Sequence, residues 1–271
     1  MAIGKALQSV PGALARNPLI VALFGLLGLL QSAPTVTQQI NPIIGITVTG
    51  VFLLGMLLGL PFIHGGLIKM ADEALRGTTS LRTFISAGKE NYVPLLVAML
   101  VVFGVNIVLG VVFWIAVMMG LGVGFAVGND AGLIVAGLIG LVIGLLYLVF
   151  VFFIQFYSQE IVLNDASALG SLKQSASLVR AHLLSTFGYM VVGGIGGGIL
   201  GGAAGGAGAL LLPAPTAESQ SFSTDMLLGM GGYTVIIVLS SMLLGSLLTV
   251  FSVAFYREIQ TPQRGSQPMS T

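Results

Sequence analysis

Residues 78–119 indicate the fold class, and they read TTSLRTFISAGKENYVPLLVAMLVVFGVNIVLGVVFWIAVMM. The first part, 78–92, mixes basic, hydroxyl and apolar side chains, whereas Val93–Met119 contains no charged residue. About 20 predominantly apolar residues are enough for a helix to cross the ~30 Å hydrocarbon core of a bilayer. The stretch therefore predicts a short amphipathic helix followed directly by a membrane-spanning helix.

Apolar runs of this kind occur six times along the chain. They predict crossings at about residues 17–33, 42–67, 93–119, 131–156, 184–212 and 226–256. Of the 271 residues, 56% are hydrophobic and only 7% are charged, whereas a soluble domain carries roughly a quarter charged residues. We therefore predict an all-α, polytopic transmembrane helical bundle. It forms a single integral membrane domain over 1–259, and the polar tail 260–271 is predicted to be disordered.

The first apolar run is the shortest of the six. It spans Pro18–Leu30 and follows basic residues, a combination that also occurs in secretory signal peptides. Cleavage after Ala33 would place Gln31 where a small residue is preferred. The sequence thus favours a retained crossing, and it leaves a cleaved segment as the alternative.

The basic residues alternate with the crossings. All ten Lys and Arg residues fall before the first crossing, between the second and third, between the fourth and fifth, or at and after the end of the sixth. The other three connections, 31–41, 128–131 and 213–225, contain none. Because short loops rich in Lys and Arg remain in the cytoplasm, this pattern predicts a multi-pass protein of the cell membrane with both termini cytoplasmic.

Three segments on the basic side have amphipathic helical patterns, at the N-terminus, at 78–92 and at 167–183. Short helices with a cationic face lie in the membrane interface. The pairs Arg82/Lys89 and Lys173/Arg180 are each seven residues apart, so each pair shares one helix face. These four residues are candidate ligands for anionic headgroups of membrane lipids. The alternative is that their charges only set the topology during insertion.

The second and third amphipathic segments also resemble each other in sequence. Ser80-Leu81-Arg82 aligns with Ser171-Leu172-Lys173, and Lys89 aligns with Arg180, at a constant offset along the chain. Parallel repeats of an interfacial helix plus a transmembrane hairpin would produce this pattern. Selection for basic residues on one side of the membrane is the competing explanation.

The fifth crossing is rich in glycine at a spacing of four residues, and small residues at this spacing allow transmembrane helices to approach closely. We therefore predict helix-packing roles, against the second or sixth crossing, for a set of eight glycines. A bending or pore-lining helix is the alternative. The predicted packing positions are Gly193, Gly194, Gly197, Gly198, Gly201, Gly202, Gly205 and Gly206.

Residues that could perform catalysis are scarce. The chain has no cysteine and two histidines, His64 and His182, and it contains neither an H-E-x-x-H nor a G-x-S-x-G motif. The sequence therefore predicts a protein that is not an enzyme and that uses no cofactor or metal. It would act as a scaffold, a lipid-organising element or a subunit of a membrane protein partner, without nucleic acid. A facilitator or channel for a small solute is the alternative.

The chain resembles a group of uncharacterised prokaryotic, especially haloarchaeal, membrane proteins. The resemblance is carried by Arg16-Asn17-Pro18, by Lys89 with Asn91, and by Arg180 with His182, together with the six crossings and the glycine-rich fifth helix. The layout is similar to that of the membrane domain attached to some glycerophosphodiester phosphodiesterases. The phosphodiesterase domain and its metal ligands are missing, so the resemblance implies a membrane location and no activity.

The predicted topology can be tested by cysteine scanning, because the chain has no native cysteine. In intact cells, an impermeant thiol reagent should label Ser219→Cys but neither Thr79→Cys nor Ser266→Cys. The opposite labelling pattern would reverse the orientation. Labelling of both Ser219→Cys and Thr79→Cys would contradict the number of crossings.

Overall fold

The computed structural model describes residues 2–127, 131–212 and 223–264. These residues form helices connected by short turns, with no strand among them. The helices are α1 (Ala2–Arg16), α2 (Pro18–Ile40), α3 (Pro42–Arg76), α4 (Leu81–Glu90), α5 (Tyr92–Val127), α6 (Ala131–Ile154), α7 (Tyr157–Asn164), α8 (Ala168–Ala181), α9 (Leu183–Leu211), α10 (Thr224–Ser240) and α11 (Ser246–Arg264), with a π-helical turn, Ser241–Gly245, between α10 and α11.

Six helical segments among the described residues are long and apolar enough to cross a membrane, as the hydropathy pattern predicts. The first of them is longer than the sequence indicates. Helix α2 continues from Pro18 to Ile40, so most of the connection predicted at 31–41 is helical. Polar residues lower the hydropathy of this stretch, so the hydropathy pattern does not indicate that it is helical. The helix ends at Ile40, and Asn41 then caps the start of α3 by accepting hydrogen bonds from Ile43 N and Ile44 N.

Several sequence predictions concern residues outside the described part of the chain. The connections at 128–130 and 213–222, which carry no Lys or Arg, are among them, as is the end of the predicted tail, 265–271. The start of that tail, 260–264, is helical, since α11 continues to Arg264.

The chain divides into two compact units. The first comprises Met1–Tyr92 and His182–Thr271, and the second comprises Val93–Ala181. In the first unit, α1 packs on α11 and α3, α2 packs on α3 and α10, and α9 packs on α10. The aromatic ring of Tyr189 stacks on Phe255 with centroids 4.8 Å apart, which joins the start of α9 to α11.

One buried region of the first unit lies at the end of its long helices that α3 and α11 share. The last turns of α3 are buried from Leu67 to Ala74 with interruptions, while most large apolar residues of its first half, such as Ile46 and Val51, are exposed. Helix α11 is buried from Val250 to Tyr256 except at Ser252. This end carries Lys69, Arg76 and Arg257 and is called the basic end below.

Helix α4 packs along α3 through two reciprocal glycine contacts. Gly66 of α3 faces Phe84, and Gly88 of α4 faces Phe62, while the two phenylalanine rings meet edge to face at 5.4 Å. One turn further, the Tyr92 hydroxyl donates a hydrogen bond of 3.1 Å to the Leu58 carbonyl. Residue numbers rise along α4 as they fall along α3, so the two helices are antiparallel and closely fitted.

The glycines of α9 do not have the packing role that the sequence predicts. A Cβ added at any of the eight predicted positions, which include Gly198 and Gly202, would meet no atom within 4 Å in the described structure. Helix α9 instead contacts its neighbours through other small residues, since Gly196 faces Leu248 and Ala207 packs with Tyr233 and Ile237. The predicted ridge is therefore an open face of α9 and not its interface with α10 and α11.

Small residues of the sixth crossing contact α2. A Cβ added at Gly28 would lie 2.9 Å from the Ser241 hydroxyl, and one added at Gly245 would lie 2.6 Å from the Phe24 ring. The π-helical turn thus fits against α2. Periodicity alone does not reveal this pairing, because every glycine-rich helix offers the same spacing to any neighbour.

In the second unit, α7 packs on α8, and α8 packs on α6. The Ser175 side chain of α8 bridges the break between α6 and α7, accepting from Phe156 N at 3.1 Å and donating to the Phe153 carbonyl at 2.9 Å. Ser171 is buried as well, whereas Leu169 is 61% exposed. The amphipathic pattern of this segment predicts polar Ser171 on the exposed face and apolar Leu169 on the buried face. It treats a small hydroxyl side chain as polar, although the Ser171 hydroxyl donates to the Ala168 carbonyl of its own helix at 2.8 Å.

The two kinds of glycine should respond differently to an added methyl group. Gly66→Ala would place a Cβ 2.7 Å from the Phe84 carbonyl oxygen, so backbone must move. Overpacking of this kind costs about 1–3 kcal/mol and should lower the Tm in detergent by several degrees. Gly198→Ala is the matched control and should leave the Tm unchanged or raise it slightly, since alanine favours helix. Equal losses in both variants would mean that the open face of α9 is packed in the purified protein.

Candidate functional site at the basic end

A buried carboxylate joins the two long helices that end at the basic end. Asp72 of α3 is 1% exposed and forms ion pairs with Arg76, one turn further along the same helix, and with Arg257 of α11. Each carboxylate oxygen bonds one guanidinium group. Because an isolated buried carboxylate is costly, Asp72 fixes α11 against α3.

The neighbouring carboxylate holds the turn between α3 and α4. Glu73 accepts hydrogen bonds from the hydroxyl groups of Thr79 at 2.9 Å and Thr83 at 2.7 Å. Ser80 caps α4 by accepting from Thr83 N at 3.3 Å. These bonds position the first turn of α4, and with it the side chains that α4 directs outward.

Asn17 links the start of α2 to the same turn. Its side chain accepts from Thr79 N at 2.8 Å and donates to the Gly77 carbonyl at 3.0 Å and to the Ala13 carbonyl at 2.8 Å. Asn17 is the single non-helical residue between α1 and α2. Asn91 occupies the corresponding place between α4 and α5, and it donates to the Ala87 carbonyl, again four residues back, at 3.0 Å.

The outer face of α4 carries both predicted lipid ligands of the first unit. Arg82 and Lys89 line one shallow open groove on this face, and its remaining lining residues are Leu81, Ile85, Ser86 and Glu90. Leu81 is 48% exposed and Ile85 is 41% exposed, so apolar and basic side chains stand side by side. This combination suits the boundary between headgroups and acyl chains.

In the second unit, α8 presents the other predicted lipid ligands. Lys173 and Arg180 are exposed on its surface. The Arg180 guanidinium carbon lies 5.6 Å from the centroid of the Phe153 ring, which is within the range of a cation–π contact. Phe153 therefore orients Arg180, whereas no such contact to Lys173 occurs among the described residues.

The structure places Arg82 and Lys89 on one groove, and it adds residues that sequence reasoning missed. Asp72, Glu73 and Asn17 had no predicted role beyond charge or resemblance, yet their side chains organise the basic end. The spacing of Asp72 and Arg76 indicates an ion pair within α3. No local signal indicates Arg257, because its partner lies 185 residues away in the chain.

The described part of the chain contains no candidate metal site. Within the described ranges, no set of three or more His, Asp or Glu residues is arranged to hold a metal ion. His64 lies in α3, where its Nδ1 is buried and has no hydrogen-bond partner. His182 separates α8 from α9.

Six apolar helical segments and a charged, polar cluster at one end of the first unit define a multi-pass membrane protein. The chain belongs to the family defined by a domain of unknown function, DUF7847, whose model matches residues 1–259. No curated protein and no solved structure matches the chain. Membership agrees with the predicted likeness to membrane proteins of unknown function. The haloarchaeal and phosphodiesterase-related part of that likeness stays a prediction.

The ion pairs of Asp72 should differ in their contributions to stability. Arg257→Gln breaks the contact between α3 and α11 and should lower the free energy of unfolding by about 1.5–3 kcal/mol, the range for hydrogen bonds to charged groups. Arg76→Gln removes a pair within one helix whose arginine side chain is 59% exposed, so the loss should be only about 0.5 kcal/mol. Thermal unfolding in detergent measures both. A larger loss for Arg76→Gln would show that Arg257 does not hold the two helices together.

Proposed function

We propose that this protein is a non-enzymatic cell-membrane protein that binds and organises phospholipids with anionic headgroups at its basic end. The observation that carries the proposal is the outer face of α4, where exposed Arg82 and Lys89 border exposed Leu81 and Ile85. Both termini are proposed to be cytoplasmic, so the lipids are those of the inner leaflet. Scaffolding of a membrane protein partner is compatible with the same surface.

The contacts of the short helices support a repeated unit. Helix α4 packs on α3, and α8 packs on α6 and α7, so each of these short helices contacts the second crossing of the hairpin that precedes it in the chain. Helix α1 has no preceding hairpin, and it packs on α11, which belongs to the last one. A single non-helical residue joins each short helix to its crossing. We propose three parallel repeats, in which α1, α4 and α8 are the interfacial helices.

Lipid binding can be tested by replacing the four predicted ligands together. The variant Arg82→Gln/Lys89→Gln/Lys173→Gln/Arg180→Gln should retain fewer anionic lipids than wild type in native mass spectrometry. Each basic group near an anionic surface contributes about 1 kcal/mol, which is screened by salt. Arg82→Lys/Arg180→Lys keeps the charge and should retain lipids as wild type does. Equal retention by the quadruple variant, with its topology confirmed by cysteine labelling, would restrict these residues to a role in insertion.

A second candidate function, a facilitator or channel for a small solute, is favoured by the open face of α9. Bare backbone at positions such as Gly198 could line a polar pathway if water reaches it. A hydrophilic thiol reagent should then label Gly198→Cys in proteoliposomes. Ile199→Cys, the next position around the helix and 55% exposed, is the control expected to stay unlabelled in lipid. An unreactive Gly198→Cys would exclude a water-filled pathway along this face.

A further inference from the structure

The groove on α4 contains a carboxylate beside its two basic groups. Leu81, Ile85 and Lys89 form one ridge of the helix, and Arg82, Ser86 and Glu90 form the adjacent ridge, each at a spacing of four residues. Lys89 and Glu90 are thus neighbours across the two ridges at the end of α4 that leads into α5. A carboxylate at this place would repel a headgroup that carries only negative charge.

Lys89 and Glu90 do not satisfy each other. Consecutive helix positions do not face each other, and neither side chain takes part in an ion pair or a hydrogen bond found in the described structure. Both residues are exposed. The Lys89 ammonium and the Glu90 carboxylate therefore match a ligand that carries one negative and one positive group close together.

Two helix ends act on the charge of Glu90 in opposite directions. Glu90 is the last residue of α4, where the partial negative charge of the helix end disfavours an acidic side chain. It also lies two residues before the start of α5, whose N-terminus favours one. The helix dipoles therefore leave the Glu90 carboxylate available for a ligand without requiring one.

The position of the groove points to a lipid. Helix α5 begins at Tyr92 and becomes apolar at Val93, so Lys89 and Glu90 lie within one turn of the first membrane-spanning residues. Headgroup phosphates lie at this level of a bilayer, and long basic side chains extend to reach them. The contacts of Gly66, Gly88 and Tyr92 with their partners hold α4 against α3, which fixes the backbone positions from which Lys89 and Glu90 extend.

We infer that the α4 groove binds a phospholipid whose headgroup carries a phosphate and a primary amine. Lys89 binds the phosphate, with Ser86 one turn away as an additional donor and Arg82 attracting it from two turns away. Glu90 accepts hydrogen bonds from the ammonium group. This inference rests on the proposed lipid-binding function and adds the headgroup class.

Helix α8 provides an internal comparison. At the offset that aligns Lys89 with Arg180, Glu90 aligns with Ala181, so α8 has the basic group without the carboxylate. The preference for an amine thus belongs to α4 alone. Ala181 is exposed, so Ala181→Glu can introduce the missing carboxylate at the end of α8.

Competition between two phospholipids on the full-length protein tests the inference. Phosphatidylethanolamine and phosphatidylglycerol with identical acyl chains share the phosphate, and only the first has an amine. Native mass spectrometry should show that Glu90→Gln lowers the ratio of retained phosphatidylethanolamine to phosphatidylglycerol by about tenfold, as expected from the loss of one charge-assisted hydrogen bond. Ala181→Glu should raise this ratio. Thermal unfolding should confirm that both variants are folded.

The outcomes separate the inference from the proposed function. If wild type retains both lipids and Glu90→Gln leaves their ratio unchanged, the amine preference is wrong while lipid binding stands. If Glu90→Gln lowers the retained amounts of both lipids equally in a folded protein, Glu90 supports the structure of α4 and does not recognise the amine. This result also overturns the inference. If wild type retains neither lipid better than the quadruple glutamine variant, the proposed function itself fails.

Discussion

The arrangement of this protein depends on how helices associate in hydrocarbon. Apolar side chains gain little from leaving lipid for another helix, so association relies on close packing and on polar bonds. In the first unit both occur along α3. Gly66 and Gly88 admit the phenylalanines of the facing helix, and at the basic end Asp72 binds arginines from α3 and α11. The rest of the basic end is built on these contacts.

The polar bonds at the basic end form a connected set. Asn17 joins α2 to the turn after α3, Glu73 joins that turn to α4, and Asp72 joins α3 to α11. The side chains of Asn17, Asp72 and Glu73 are thereby satisfied, as a low-dielectric environment requires. The outer face of α4 keeps exposed charges of both signs without protein partners in the described structure, and it is the surface to which we assign a ligand.

Glycine has two distinct roles in the long helices. At Gly28, Gly66 and Gly245 a neighbouring side chain occupies the space of the missing Cβ, whereas at Gly198 and Gly202 that space is open. The four-residue glycine spacing occurs only in the second group, so G-x-x-x-G identifies a bare helix face and not the glycines that pack. Whether a bare face meets a neighbour depends on the rotation of the helix about its axis, and that rotation is set by contacts distant in sequence.

The sequence by itself determined the number of crossings and their order, because hydropathy acts locally and a bilayer needs a fixed length of apolar helix. It also placed Arg82 with Lys89, and Lys173 with Arg180, on common helix faces, since helical spacing is local too. Only the tertiary structure decided which glycines pack, that Ser171 is buried, and that Arg257 binds Asp72. These outcomes depend on contacts between residues far apart in the chain, for which local periodicity carries no signal.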